Sequence, residues 1–288
     1  MDSDAATAAS ENLWAHPVAP WLVWGGLIAA FSPVLRELVQ HWVDHPWARV
    51  SIIFPWLAWV AVRKDQGRPG KASRRIIWAC LITALIIEMI AITGDTIRFA
   101  RIALAIGGAG VIAGAGWARL TASIVLAFSV PPPNALLKIF SPGLENAFGK
   151  LVAALVPTLR FERVGLRFHW LTENADLLLE HTHGGLAMGI GLAGLGWFQT
   201  VVTGGEWKDA IKRAVIWFLW MIPIQLVLFM GAAGLMVVSG QANGALWLLN
   251  QMGWIIVMAS GAFLSVQALR VSGGPGGPAR TSVEAVPC

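Results

Sequence analysis

His181-Thr182-His183, directly before Gly184-Gly185, is the densest cluster of reactive side chains in the sequence. Histidines two residues apart share a face in an extended segment but diverge by about 200° on a helix. Held extended, the cluster has four possible uses. Thr182 becomes a nucleophile if His181 or His183 takes its proton. The two histidines bind a metal if a third ligand such as His169, Glu173 or Glu180 joins them, although their spacing matches no usual zinc pattern. His183 can ligate a haem or pigment, with the neighbouring glycines making room. The fourth use is plain hydrogen bonding at a helix entrance. No cofactor is expected, and His181, His183 and His169 are only weak metal candidates.

Two further groups stand out. Glu88 lies between Ile87 and Met89 in an apolar run, and a carboxylate inside a membrane is costly and a functional candidate by default. Arg98 or Arg101 is expected to pair with it. His41 and His45, beside Trp42, Asp44 and Trp47, are expected on the same face as the His181 cluster and are candidates for a shared site.

The elements that position these residues follow from composition. The 288 residues are 56% hydrophobic and only 13% charged, against about 25% charged in a soluble domain. That excludes a soluble enzyme, a disordered chain and a nucleic-acid binder, despite a net charge of +5. Apolar runs fall at about 18–35, 47–62, 76–93, 99–116, 119–133, 184–203, 214–238 and 245–269. A spanning helix needs about 20 such residues, so the expected fold is an all-α polytopic membrane protein with about eight transmembrane helices. Cys80 and Cys288 give no disulfide framework. The N-terminal tail 1–17 holds Asp2, Asp4 and Glu11 and no basic stretch, unlike a cleavable signal peptide. The tail 272–288 is rich in Gly, Pro and Ala and reads as disordered.

Arg63, Lys64, Arg68, Lys71, Arg74 and Arg75 crowd one linker, which marks it as cytoplasmic. Counting spans from there puts the 204–213 loop, with Lys208, Lys212 and Arg213, and both termini inside. The expected location is a bacterial inner membrane, with the 134–183 insert of the 18–271 membrane domain on the outer face.

Within the insert, Ser141 and Pro142 read as the cap and first position of an amphipathic helix. Leu144, Ala147, Phe148, Leu151, Val152 and Leu155 form its apolar stripe, with Glu145, Asn146, Gly149 and Lys150 off it. Alternation over 159–170 predicts a β-hairpin turning near Val164-Gly165, and 176–180 predicts a further strand. Gly110 with Gly114, and Gly185 with Gly189, have the spacing of closely packed membrane helices.

This order resembles the exosortase/archaeosortase family of membrane-embedded cysteine transpeptidases. It comprises a first span, an outer loop, a short span ending in basic residues, Pro131-Pro132-Pro133, an amphipathic helix, the Arg160–Trp170 hairpin and a strand leading to Glu180. The likeness covers roughly residues 20–240 and is closest over 128–186. The resemblance implies a site on the outer membrane face that cleaves C-terminal sorting tails of exported proteins. Its nucleophile would be a Cys in a Glu-Ala-Cys-Ser-Gly-like motif, served by two basic partners, at least one an Arg in a later span.

With Glu180 and Gly184 aligned to that motif, Thr182 holds the Cys column between His181 and His183. The 214–238 span contains no Arg. Two readings follow. In the first, the chain is a noncatalytic subunit or assembly factor that binds a peptide tail, membrane lipid or partner helix at the outer face. In the second, it is an active peptidase or transpeptidase using Thr182 with a His base. A pigment- or haem-binding subunit is a third.

Overall fold

The computed structural model describes residues 25–26, 29, 31–65, 74–94, 97–114, 117–132, 134–164, 167–173, 175–179 and 184–272. The two expected tails, most of the first span, much of the basic linker, the hairpin turn and the Glu180–His183 cluster lie outside these residues.

The chain is mostly helical with one small sheet. In order, the described elements are α1 (Ser32–Asp44), a 3-10 helix (Pro46–Ser51), α2 (Phe54–Asp65), α3 (Arg74–Thr93), α4 (Ile97–Gly114), α5 (Leu120–Ser123) running into a 3-10 helix (Ile124–Ser129), and α6 (Asn134–Leu155). Then come β1 (Arg160–Val164), β2 (Arg167–Leu171), β3 (Asp176–Leu179), α7 (Gly184–Thr203), α8 (Trp207–Leu219), α9 (Met221–Ser239) and α10 (Ala242–Ser272). Among the described residues, four stretches are long and apolar enough to cross a membrane: Arg75–Thr93, Gly185–Thr203, Trp207–Ser239 and Ala242–Arg270. Phe99–Gly114 and Leu120–Ser129 are shorter apolar helices.

Prolines account for the two broken runs. Pro46 opens a 3-10 turn and Pro55 falls in the first turn of α2, so the 47–62 run is two short pieces. Pro131 and Pro132, which carry no N–H, follow Ser129, the last helical residue of the fifth run. The 204–213 stretch is not a loop. The Asp209 carboxylate accepts the Glu206 N–H at 3.4 Å, and α8 begins at Trp207 with Lys208, Lys212 and Arg213 already helical. A single break at Trp220 separates α8 from α9. Gly240, in the left-handed region at φ 67°, ends α9 and turns the chain into α10.

Ser141 is not a cap. α6 starts seven residues earlier, at Asn134, and continues through Pro142, because Leu137 and Ser141 are both buried against the bundle. The face it buries keeps only part of the expected stripe, Leu144, Phe148 and Val152. Ser141, Glu145, Phe148 and Val152 point inward, whereas Phe140, Leu151 and Leu155 are exposed. The helix is thus apolar on two sides, with one carboxylate turned in.

The sheet follows the expected alternation. β1 and β2 pair antiparallel with Val164 opposite Arg167, and β2 pairs antiparallel with β3. Phe161, Trp170 and Leu177 stand in one cross-strand row, and Trp170 and Leu177 are buried. The turn between β2 and β3 is closed by Thr172, whose N–H reaches the Ala175 carbonyl and whose Oγ1 accepts the Ala175 N–H, both at 2.9 Å.

α7 is the central post, with 72% of its membrane-length window buried. It descends antiparallel to α8 and α9. A Cβ on Gly185 would meet the Gln225 amide at 3.1 Å, one on Gly189 the Met221 sulfur at 2.8 Å, and one on Gly196 the Arg213 carbonyl at 2.7 Å. It runs parallel to α10, with Gly191 against Val257 and Leu195 against Gly261. Gly110 and Gly114 bring α4 onto Cys80 and Ile77 of α3 in the same way.

Candidate functional site between two apolar cores

Two apolar cores are stacked along the bundle. The lower one joins the 3-10 segment, α2, α7 and parts of α10 through Val50, Phe54, Leu57, Ala187, Met188, Leu195, Phe198, Met221 and Val257. The upper one joins the sheet to α6, α9 and α10 through Phe148, Val152, Trp170, Leu177, Phe229, Met236 and Leu249. Trp170 is its centre. It is fully buried, meets Phe229 edge-on at 5.5 Å, and donates its Nε1–H to the Gly149 carbonyl at 3.3 Å.

Polar side chains gather where one core gives way to the other. On α6, Ser141 and Glu145 are buried between Leu137 of the lower core and Phe148 of the upper. On α9, Gln225 is 2% exposed between Met221 below and Leu228 above. On α10, Gln251 lies between Leu249 above and Val257 below. α7 and α10 run parallel with Gly191 facing Val257, so the same offset of 66 residues sets Gln251 level with Gly185, the residue that Gln225 touches.

Ser141 Oγ, Gln225 Nε2 and Asn146 Oδ1 are buried without a hydrogen-bond partner among the described residues. Each such group costs about 1–3 kcal/mol, so the layer is expensive to keep dry and empty. Leu177 of β3 belongs to the upper core and Ala187 of α7 to the lower. The candidate catalytic residues His181, Thr182 and His183, together with Glu180, fall between them in sequence and lie outside the described residues. Of that motif, only the Gly184 backbone is described, as the first residue of α7.

Arg49 of the 3-10 helix enters from the side. It donates Nη2 to the Val43 carbonyl at 2.7 Å, Nε to the Trp42 carbonyl at 3.3 Å and Nη1 to Gln251 Oε1 at 3.2 Å. Its guanidinium also lies 5.7 Å from the Trp254 ring, and Trp254 Nε1 donates to the same Gln251 oxygen at 2.7 Å. Arg49 therefore caps the last carbonyls of α1 and ties that helix to α10. His41 and His45 do meet, with ring centroids 4.4 Å apart, and both pack on Trp47 at 5.0 and 5.6 Å.

The expected pairing of Glu88 with Arg101 is not made. Arg101 is engaged by Glu37 of α1 in a two-toothed contact, Nη2 to Oε1 at 2.6 Å and Nε to Oε2 at 3.2 Å. α1 crosses the end of α4 and offers its carboxylate there, ahead of α3. Glu88 Oε2 is left buried with no partner among the described residues. The Arg98 side chain lies outside the described residues. His169 sits in mid-sheet, opposite Glu162 and Leu178, and among the described residues no three His, Cys, Asp or Glu side chains converge as metal ligands.

Arg49, Gln225, Gln251 and Glu145 were not singled out by the sequence. Arg49 and Gln225 did leave a signal, as polar residues inside apolar runs. Glu145 left a misleading one, since its polarity argued for an exposed face. No protein-family model, curated protein or solved structure matches the chain.

Proposed function

We propose that the chain is a multi-pass bacterial inner-membrane protein of exosortase-like architecture, with about eight spans and both termini cytoplasmic. It holds a polar segment, such as the C-terminal tail of an exported protein or a partner's, at the outer face without cutting it. The observation that carries this reading is Gln225. A neutral amide with an unpartnered Nε2 stands against the first turn of α7, on the later helix where the resemblance calls for a cation. A neutral amide can pair with a peptide group, and it meets an oxyanion by hydrogen bonding alone, without the charge a guanidinium brings. Thr182 in the Cys column points the same way, because a threonine hydroxyl is a weak nucleophile without strong activation.

The test is purification in mild detergent of the native chain and of a His181→Ala/Thr182→Ala/His183→Ala variant. Binding without cleavage predicts that both retain the same tail-bearing protein at the same length, and that Gln225→Leu releases it. A tail shortened by the native chain and left intact by the triple variant overturns the reading in favour of an active peptidase. A visible absorption band from the purified native chain overturns it in favour of a haem or pigment subunit.

A further inference from the structure

The sheet runs in the order β1-β2-β3, and its two edges differ. β1 carries Arg160, Glu162 and Arg163 among its residues, and charges on an edge strand discourage further pairing. β3 reads Asp176-Leu177-Leu178-Leu179, with no Lys and no Pro to protect it. One bond tells which of its main-chain groups are open. The Thr172 N–H reaches the Ala175 carbonyl at 2.9 Å, so these two residues form a hydrogen-bonded pair. Such pairs alternate along an antiparallel ladder, which makes Trp170 with Leu177 the next one and Phe168 with Leu179 the one after. The N–H and C=O groups of Asp176 and Leu178 therefore point away from β2. Both residues are exposed, and among the described residues these outward groups have no hydrogen-bond partner.

Two donors and two acceptors, repeating about every 7 Å along the strand, match the main chain of an extended peptide. An open strand edge is not tolerated in hydrocarbon, and in water it is a template for another strand. Either surrounding favours a paired edge. The side chains narrow the occupant. Asp176 has no ion pair among the described residues, and an opposite charge directly across a strand pair is favourable. On the other face, Leu177 ends the buried row that begins with Phe161 and Trp170, and an apolar residue on a further strand continues that row. A second copy of β3 brings another Asp176 and no cation.

We propose that β3 takes up an extended segment of another protein as a fourth strand, with a Lys or Arg facing Asp176 and an apolar side chain beside Leu177. Main-chain bonds to an added strand supply affinity, and alternate side chains supply specificity. The inference rests on the reading that the chain holds such a segment, and gives the form in which it is held.

The experiment places p-benzoylphenylalanine at Leu178 of the full chain in its native membrane, and irradiation is followed by peptide mapping. The expected adducts fall on one short stretch of another polypeptide that carries a Lys or Arg. Asp176→Pro removes an outward N–H and no bond to β2, at the first strand position, where Pro is tolerated. Its adduct yield should fall about three- to tenfold below that of Asp176→Asn, which loses the charge and keeps the N–H. Asp176→Lys, which repels the cation, repeats the test should the proline loosen the sheet. Adducts undiminished in the proline and lysine variants overturn the proposal, as do adducts confined to lipid or to this chain, whether its own tail or a second copy. Absence of adducts while the native chain still retains a tail-bearing protein in detergent overturns the added strand alone. Absence of both overturns the reading beneath it as well.

Discussion

Replacing Trp170 by Ala should unfasten the sheet while leaving the bundle folded. The indole is fully buried between α6 and α9, and removing such a side chain costs about 3–5 kcal/mol. Of that, the edge-on pair with Phe229 accounts for about 0.5–1.5 kcal/mol. The 3.3 Å bond to Gly149 is long and supplies the lower end of the usual 0.5–1.5 kcal/mol, roughly 0.5. Trp170→Phe keeps most of the volume and should cost about 1–2 kcal/mol. The loss is local because Trp170 has no part in the lower core, and segments with separate cores open separately. Amide hydrogen exchange in mild detergent reads this directly. A 3 kcal/mol loss corresponds to about a hundredfold faster exchange of the β1 and β2 amides, since each 1.4 kcal/mol is tenfold. The amides of α7 should not change. Acceleration of less than about fivefold in the strands (about 1 kcal/mol) would refute the role given to Trp170. Equal acceleration in α7 would refute the division into two cores.

Asp65, whose side chain is fully buried, accepts the Arg119 backbone N–H at 2.6 Å and Nε at 2.9 Å. Asp65→Ala should cost about 2–4 kcal/mol, a little under the usual figure for breaking a buried pair because Arg119 is partly exposed, and global unfolding in detergent measures it. Glu88→Leu should raise stability by about 1–3 kcal/mol, because it removes a carboxylate with an unpartnered buried oxygen; a drop in the melting temperature would reveal a partner for Glu88. Arg49→Lys should loosen the end of α1, since an ammonium cannot serve two carbonyls and Gln251 as the planar guanidinium does. Exchange at His41–His45 should speed about tenfold, the equivalent of one lost charge-assisted bond of roughly 1.5 kcal/mol, with α3 unaffected.

The parts that were legible in the sequence depend on neighbours close along the chain. The hairpin was readable because apolar and charged residues alternate around Phe161 and Trp170, and a Val-Gly pair lies between them in the sequence. The paired glycines of α4 and α7 were readable because spacing alone defines them. What was not legible depends on partners far along the chain. Nothing in the order of residues tells that Glu37, 64 positions away, reaches Arg101 before Glu88 does. The start of α6 was misplaced for a related reason. Ser141-Pro142 has the local form of a helix start, but burial of Leu137 and Ser141 against the bundle outweighs it. The inward turn of Glu145 could not be read from a stripe of apolar residues, since α6 has apolar groups on both sides.

Helix lengths place the polar layer relative to a membrane. From Trp207, beside Lys208 and Lys212, to Gln225 is 18 residues, or about 27 Å at 1.5 Å per residue. The 20 residues of α7 span about 30 Å, the thickness of the hydrocarbon. With the basic end of α8 taken as one end, Gln225 lies about one membrane thickness away, and the exposed apolar residues Val227, Met230 and Val238 continue the apolar stretch past it. Unpartnered polar groups are expensive in hydrocarbon. Glu88, in the exposed helix α3, carries the same cost, and a proton or a second protein would relieve it.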